Sequence, residues 1–147
     1  MQKDIFRAIF LSLLLVFSFS SSCSADLNRE AARLASKALE ATAGYERPIT
    51  GAAPEIAREL YNEYKGVYEE LQTFLKESEA SIEDYNCILR VASVVNLRRV
   101  VLMDYLILAD AYKNGRKDRY DEITRNLYAD WDAERITRQS FSNDYGF

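Results

Sequence analysis

Apolar residues recur along this chain at helical spacing, and strand-like alternation persists nowhere. Leu27, Ala31, Leu34, Ala38 and Ala41 follow one another at four- and three-residue steps, with Ala35 and Leu39 beside them. They predict a first helix over 26–43, whose small alanines let a neighbour approach closely. Gly44 is its natural stop, because glycine takes the left-handed cap without a Cβ clash. Tyr45 to Ala53 reads as a connector containing Pro48, Thr50 and Gly51. Pro54 suits the first turn of a second helix, where a missing N–H costs nothing, and Glu55 sits at its positive dipole end. Over 54–78, Leu60, Tyr64, Val67, Leu71 and Phe74 give this helix the seam of an antiparallel bundle. Gly66 in its middle costs about 1 kcal/mol against Ala.

Ser81 followed by Asp84 predicts the N-cap of a third helix that runs to Tyr112. Ile82, Tyr85, Leu89, Ala92, Asn96, Val100, Met103 and Ile107 form one stripe along it. Val91, Val94, Val95, Leu97, Val101 and Leu102 spread over its other faces. A helix apolar nearly all round belongs at the centre of a fold. It is not a membrane span, since Arg98, Arg99 and Asp104 would then lie near the bilayer centre. Lys113-Asn114-Gly115 closes it. Tyr120, Ile123, Leu127 and Trp131 give a fourth helix over 117–138, and residues 139–147 lose the pattern and read as a tail. Four helices with short connectors predict an all-α, up-down-up-down four-helix bundle over 26–138.

Residues 1–25 follow a different pattern. Lys3 and Arg7 are followed by an apolar run from Ala8 to Ser20 and then by small residues. That order is a cleaved secretory signal, and the run is too short for a comfortable membrane span. Cys23, directly after the small residues, makes the segment resemble a bacterial lipoprotein signal, with Ser20 where such signals usually carry Leu. The resemblance implies that Cys23 is lipidated and becomes the first residue of the mature chain. Cleavage after Ala25 and retention as an uncleaved anchor are the other two outcomes the residues allow.

Composition narrows the chemistry. The 147 residues include 19 basic and 23 acidic side chains, a net charge of −4. A mildly acidic chain is not a nucleic-acid binder by charge, because phosphate neutralisation needs a basic face. Histidine is absent, which removes Ser-His and Cys-His catalysis, zinc sites that need His and haem on a proximal His. No Gly-rich phosphate loop or nucleophile elbow is present, and no cofactor or metal is expected. Only two cysteines exist, so Cys87 has no intramolecular partner once Cys23 is lipidated or removed. It reads as a small core residue, with an intermolecular disulfide as the alternative.

A few residues stand out as candidate contacts. Arg98 and Arg99 interrupt an apolar helix, with Asp104 nearby, and point about 100° apart. Each either pairs with an acid on a neighbouring helix or grips a carboxylate or phosphate between helices. Tyr61 and Tyr68 flank the seam of the second helix and fit either packing or an aromatic patch for a protein partner. Tyr145-Gly146-Phe147 resembles the C-termini of bacterial outer-membrane barrel proteins, which periplasmic PDZ domains can bind by strand addition. The expectation is an exported bacterial bundle, not an enzyme, lipid-anchored through Cys23 on the periplasmic side or secreted. It would bind another envelope protein as an adaptor, accessory or immunity-type protein. The alternative is a small-anion sensor or carrier that uses Arg98 or Arg99.

Overall fold

In the computed structural model, which describes residues 27–43 and 54–147, every regular element is a helix. These are α1 (Arg29–Ala41), α2 (Pro54–Glu77), α3 (Ile82–Lys113) and α4 (Lys117–Tyr145), and together they form an all-α bundle. The signal segment with Cys23, Gly44 and the connector with Pro48 lie outside the described residues. No described helix is long and apolar enough to cross a membrane.

The helix ends follow from local chemistry. Asn28 caps α1 by accepting from the backbone N–H groups of Glu30 and Ala31. Ser81 caps α3 as its spacing to Asp84 predicts, accepting from Asp84 N at 3.1 Å. The two caps are joined. The carboxylate of Asp84 accepts from Asn28 N and from Asn28 Nδ2, each at 2.8 Å, and from Ser81 Oγ at 2.9 Å. Asp84 is buried, so these donors replace the water its charge would otherwise need. Gly115 (φ 65°) makes the turn after α3, where a side chain would be strained.

α3 packs against all three other helices. Asn28 meets Asp84, and Thr42 at the far end of α1 meets Arg98, both at a sequence separation of 56. α1 therefore runs parallel to α3 and in step with it. Arg90 bonds Ser140 and Asp144, while Arg98 pairs with Glu134, so α4 runs antiparallel to α3. Lys37 pairs with Glu70, and α1 packs Ala31, Leu34, Ala35 and Ala38 inward. The core continues through Tyr64, Leu71 and Phe74 of α2, Cys87, Ile88, Val91 and Val95 of α3, and Leu127 of α4.

Two features of the sequence pattern need correcting. First, residues 139–147 are not a tail. α4 continues to Tyr145, and Phe141 is fully buried. Its ring stacks on Tyr145 at 4.8 Å and on Phe147 at 5.5 Å between centroids, with the Arg90 guanidinium over Phe141 and Tyr145. Gly146 (φ 72°) caps the helix and turns Phe147 back onto it. Beyond Leu127 and Trp131 the inward positions are Glu134 and Arg138, so the apolar stripe ends before the helix does.

Second, the stripe of α3 is not its buried face: Leu89, Asn96, Val100 and Ile107 are half-buried, and Ile82, Tyr85 and Met103 are exposed. Its buried face is Asp84, Cys87, Ile88, Val91, Val94, Val95, Arg98, Val101 and Leu102. Of the stripe, only Ala92 is buried, whereas Ile82 is 77% exposed, Tyr85 43% and Met103 40%.

Replacing Phe141 with Ala is expected to lower the unfolding free energy by about 3–5 kcal/mol, as for a buried aromatic. Urea denaturation measures it, and a loose tail would give no change.

Candidate functional site

The residues singled out by the sequence divide into two groups on neighbouring positions of α3. Arg98 and Arg99 point about 100° apart and have opposite fates.

Arg98 is 5% exposed and lies against α1 and α4. Its Nε is 3.5 Å from Glu134 Oε1, and its Nη2 donates to Thr42 O at 3.2 Å. Glu134 is 2% exposed and also accepts from Arg138 Nε at 2.9 Å, one turn along α4. Arg138 Nη2 in turn donates to Thr42 O at 3.2 Å and to Thr42 Oγ1 at 2.6 Å. Thr42 Oγ1 donates to Ala38 O at 2.9 Å. One carboxylate thus lies between two guanidinium groups, and both of these close the carbonyl end of α1. Cations at a helix C-terminus also meet the negative end of its dipole. The acid that holds Arg98 sits on α4, not on the Glu-rich second helix. Its charge is matched inside the fold, and its donors serve Thr42 and Glu134.

Arg99 faces α2 and is half-buried. Its guanidinium carbon is 5.4 Å from the centroid of Tyr61 and 4.9 Å from that of Tyr68. The rings come together here because Tyr61 and Tyr68 are two turns apart on one flank of α2. Cation–π attraction of this kind is worth about 0.5–1 kcal/mol where solvent reaches it. The hydrogen bonds are weak: Arg99 reaches Asn96 Oδ1 and Tyr61 Oη each at 3.5 Å, and its buried Nε has no bond. Arg99 is therefore a positioned cation with donor capacity left. Asp104 is half-buried about 140° around α3 from Arg99.

The structure thus joins Arg99, Tyr61 and Tyr68 and places Arg98 elsewhere. Arg99 and its tyrosines border the outward face of α3, where Val100 and Met103 follow. Sequence reasoning missed Glu134, Arg138 and Thr42. The signal for them was the four-residue spacing of Glu134 and Arg138 in step with Leu127 and Phe141.

A groove of about 420 Å³ lies between α1 and α2, lined by Glu30, Glu70 and Glu77 with Arg33. Its carboxylates oppose an anionic occupant. Among the described residues no group of Cys, Asp and Glu is placed to hold a metal ion. A comparison of the chain with known protein families, with curated proteins and with solved structures finds no match.

Cys87 is fully buried. Burial, and next the Asp84 charge, push its thiol from an ordinary 9.0 up to about 12. An intermolecular disulfide would require the fold to open. The raised value favours the folded state with a neutral thiol. That contribution is complete below pH 9.0 and is lost as pH rises toward about 12.

Three outcomes are expected. Glu134→Ala should cost about 3–5 kcal/mol in chemical unfolding, because it leaves buried guanidinium charge uncompensated. Removing the exposed Glu69 of the Lys65–Glu69 pair should change stability by about 0.5 kcal/mol or less. In a Cys23→Ser chain at pH 8, the Cys87 thiol should react with a thiol reagent only after denaturant is added. Rapid labelling of the native chain would contradict the burial argument.

Proposed function

We propose that this chain is an exported, lipid-anchored bundle of up-down-up-down topology that works by binding another protein of the bacterial envelope, without catalysis of its own. One observation carries the binding role: the apolar outward stripe of α3, edged by Arg99 on the Tyr61–Tyr68 platform. Buried apolar area supplies most association energy, and Tyr and Arg are the residue types that most often dominate it. Arg99 offers charged donors already held in place, so a partner carboxylate meets little ordering cost. The parallel run of α1 with α3 and the antiparallel run of α4 support the topology.

The export and anchoring role rests on the sequence of residues 1–25, with Cys23 as the lipid attachment point on the periplasmic side of a membrane. The absence of histidine and the net charge of −4 support a role that is neither catalytic nor nucleic-acid binding. A second role, capture of a small anion, has support at Arg99 alone, since Arg98 is engaged by Glu134 and Thr42.

Two measurements test the proposal. The intact mass of the mature protein should show acyl groups on Cys23, and an unmodified start at Asp26 overturns the anchor. Cross-linking and capture from the native envelope should retain a partner with the wild-type chain. The Arg99→Ala/Tyr68→Ala variant should lose it, and the variant of the exposed Arg135, Arg135→Ala, should keep it. A small anion that raises the melting temperature, with the gain abolished by Arg99→Ala, would favour the second role.

A further inference from the structure

Arg99 is half-buried, and among the described residues it makes no ion pair. Arg98, one position earlier, has Glu134. What Arg99 does bond are two acceptors, and that choice orients their other atoms. Its Nη1 donates to Asn96 Oδ1 and its Nη2 to Tyr61 Oη, each at 3.5 Å. With its oxygen turned to Arg99, the Asn96 amide has its N–H groups left over, and the Tyr61 hydroxyl has its proton left over. Neither finds an acceptor among the described residues. We infer that Arg99, Asn96 and Tyr61 form a donor-only site for a single carboxylate. This rests on the reading of Arg99 as the binding cation and names the group it takes.

The donors match that group in number and in charge. Arg99 Nε is buried, so a ligand meets the two Nη atoms, each with one N–H unspent. The Asn96 amide and the Tyr61 hydroxyl bring these to about four donors, and a carboxylate presents about four lone-pair sites. Its plane can continue that of the guanidinium, which the rings of Tyr61 and Tyr68 already hold at 5.4 and 4.9 Å from their centroids. Lys65 lies between the two tyrosines along α2, but it is paired with Glu69. The site therefore carries one unmatched positive charge, which suits a monoanion. A phosphate dianion would bring a second charge with no cation to answer it.

Arginine-selective isotope labelling of the full chain in detergent micelles, followed by nuclear magnetic resonance, tests the inference with two probes, acetate and inorganic phosphate. Acetate should shift the Arg99 side-chain signal with saturation in the millimolar range and leave that of Arg98 in place. Phosphate should bind at least about 10-fold more weakly, as expected for an uncompensated charge. Tyr61→Phe keeps the ring under the guanidinium and removes only the hydroxyl. Tyr61→Phe and Asn96→Ala should each weaken acetate about 5-fold, with the circular dichroism melt unchanged. Two sources can supply the carboxylate, and capture from the native envelope by Tyr61→Phe separates them. Lost capture places an acidic side chain of the partner in the site, and retained capture leaves a free carboxylate as its occupant; both uphold the site. An Arg99 signal that acetate leaves unmoved overturns the inference. So does acetate binding that Tyr61→Phe and Asn96→Ala both leave intact, or phosphate binding as tight as that of acetate. In each of those cases the capture result for Arg99→Ala/Tyr68→Ala still decides the binding role by itself.

Discussion

The fold depends on how the carbonyl end of α1 is closed. α1 has 13 residues and is rich in alanine, a length at which an isolated helix is marginal in water. Its small side chains bury little area each, so its ends must be held. At the start, Asp84 binds the cap residue Asn28 twice. At the end, Arg98 and Arg138 donate to Thr42, and Glu134 lies between the two cations. The same junction joins α3 to α4. Three of the four helices therefore meet at one buried polar point, and each buried charge there has a partner. Such clusters contribute little to net stability compared with apolar packing, but taking away a single member is costly. Their effect is on register: the fork of each guanidinium fits one placement of Thr42 and Glu134.

This accounts for which parts of the fold were legible in the sequence. The caps at Ser81 and Pro54 and the inward stripe of α1 depend on neighbours within a turn or two, and the pattern gives them directly. The end of α4 was hidden because its inward positions continue through Glu134 and Arg138. A scan for apolar spacing reads charge there as the end of the helix, although the Phe141 that follows is fully buried. α3 failed differently. A helix with apolar residues on every face has no preferred side in its own sequence. The end groups of α1 lie on the face of Asp84 and Arg98, and that choice turns Ile82, Tyr85 and Met103 outward.

The candidate site was legible in its members but not in its grouping. Arg98 and Arg99 look equivalent as adjacent letters. One is desolvated and neutralised by Glu134, while the other rests on two tyrosine rings at the edge of solvent. The difference arises from the 100° turn between them and from what each neighbouring helix carries at that height. Tyr61 and Tyr68 could be placed on one flank of α2 from their spacing. That the flank meets Arg99 required the seating of α2 on α3.

The division of labour between the two arginines also bears on how the surface can work. A cation that must also support the fold cannot change partners without loosening α1, so Arg98 is unsuited to reversible binding. Arg99 makes only long hydrogen bonds, and its rings screen one side while leaving donors for another group. Losing those bonds to a partner carboxylate costs little, and a charge-assisted bond in a desolvated seam is about twice as strong as a neutral one. The apolar stripe beside it supplies area without direction, and the arginine supplies direction without much area. On the proposed reading, a surface built from both would discriminate between partners by where their carboxylate falls along α3, because an acid set one turn away would be buried without a mate.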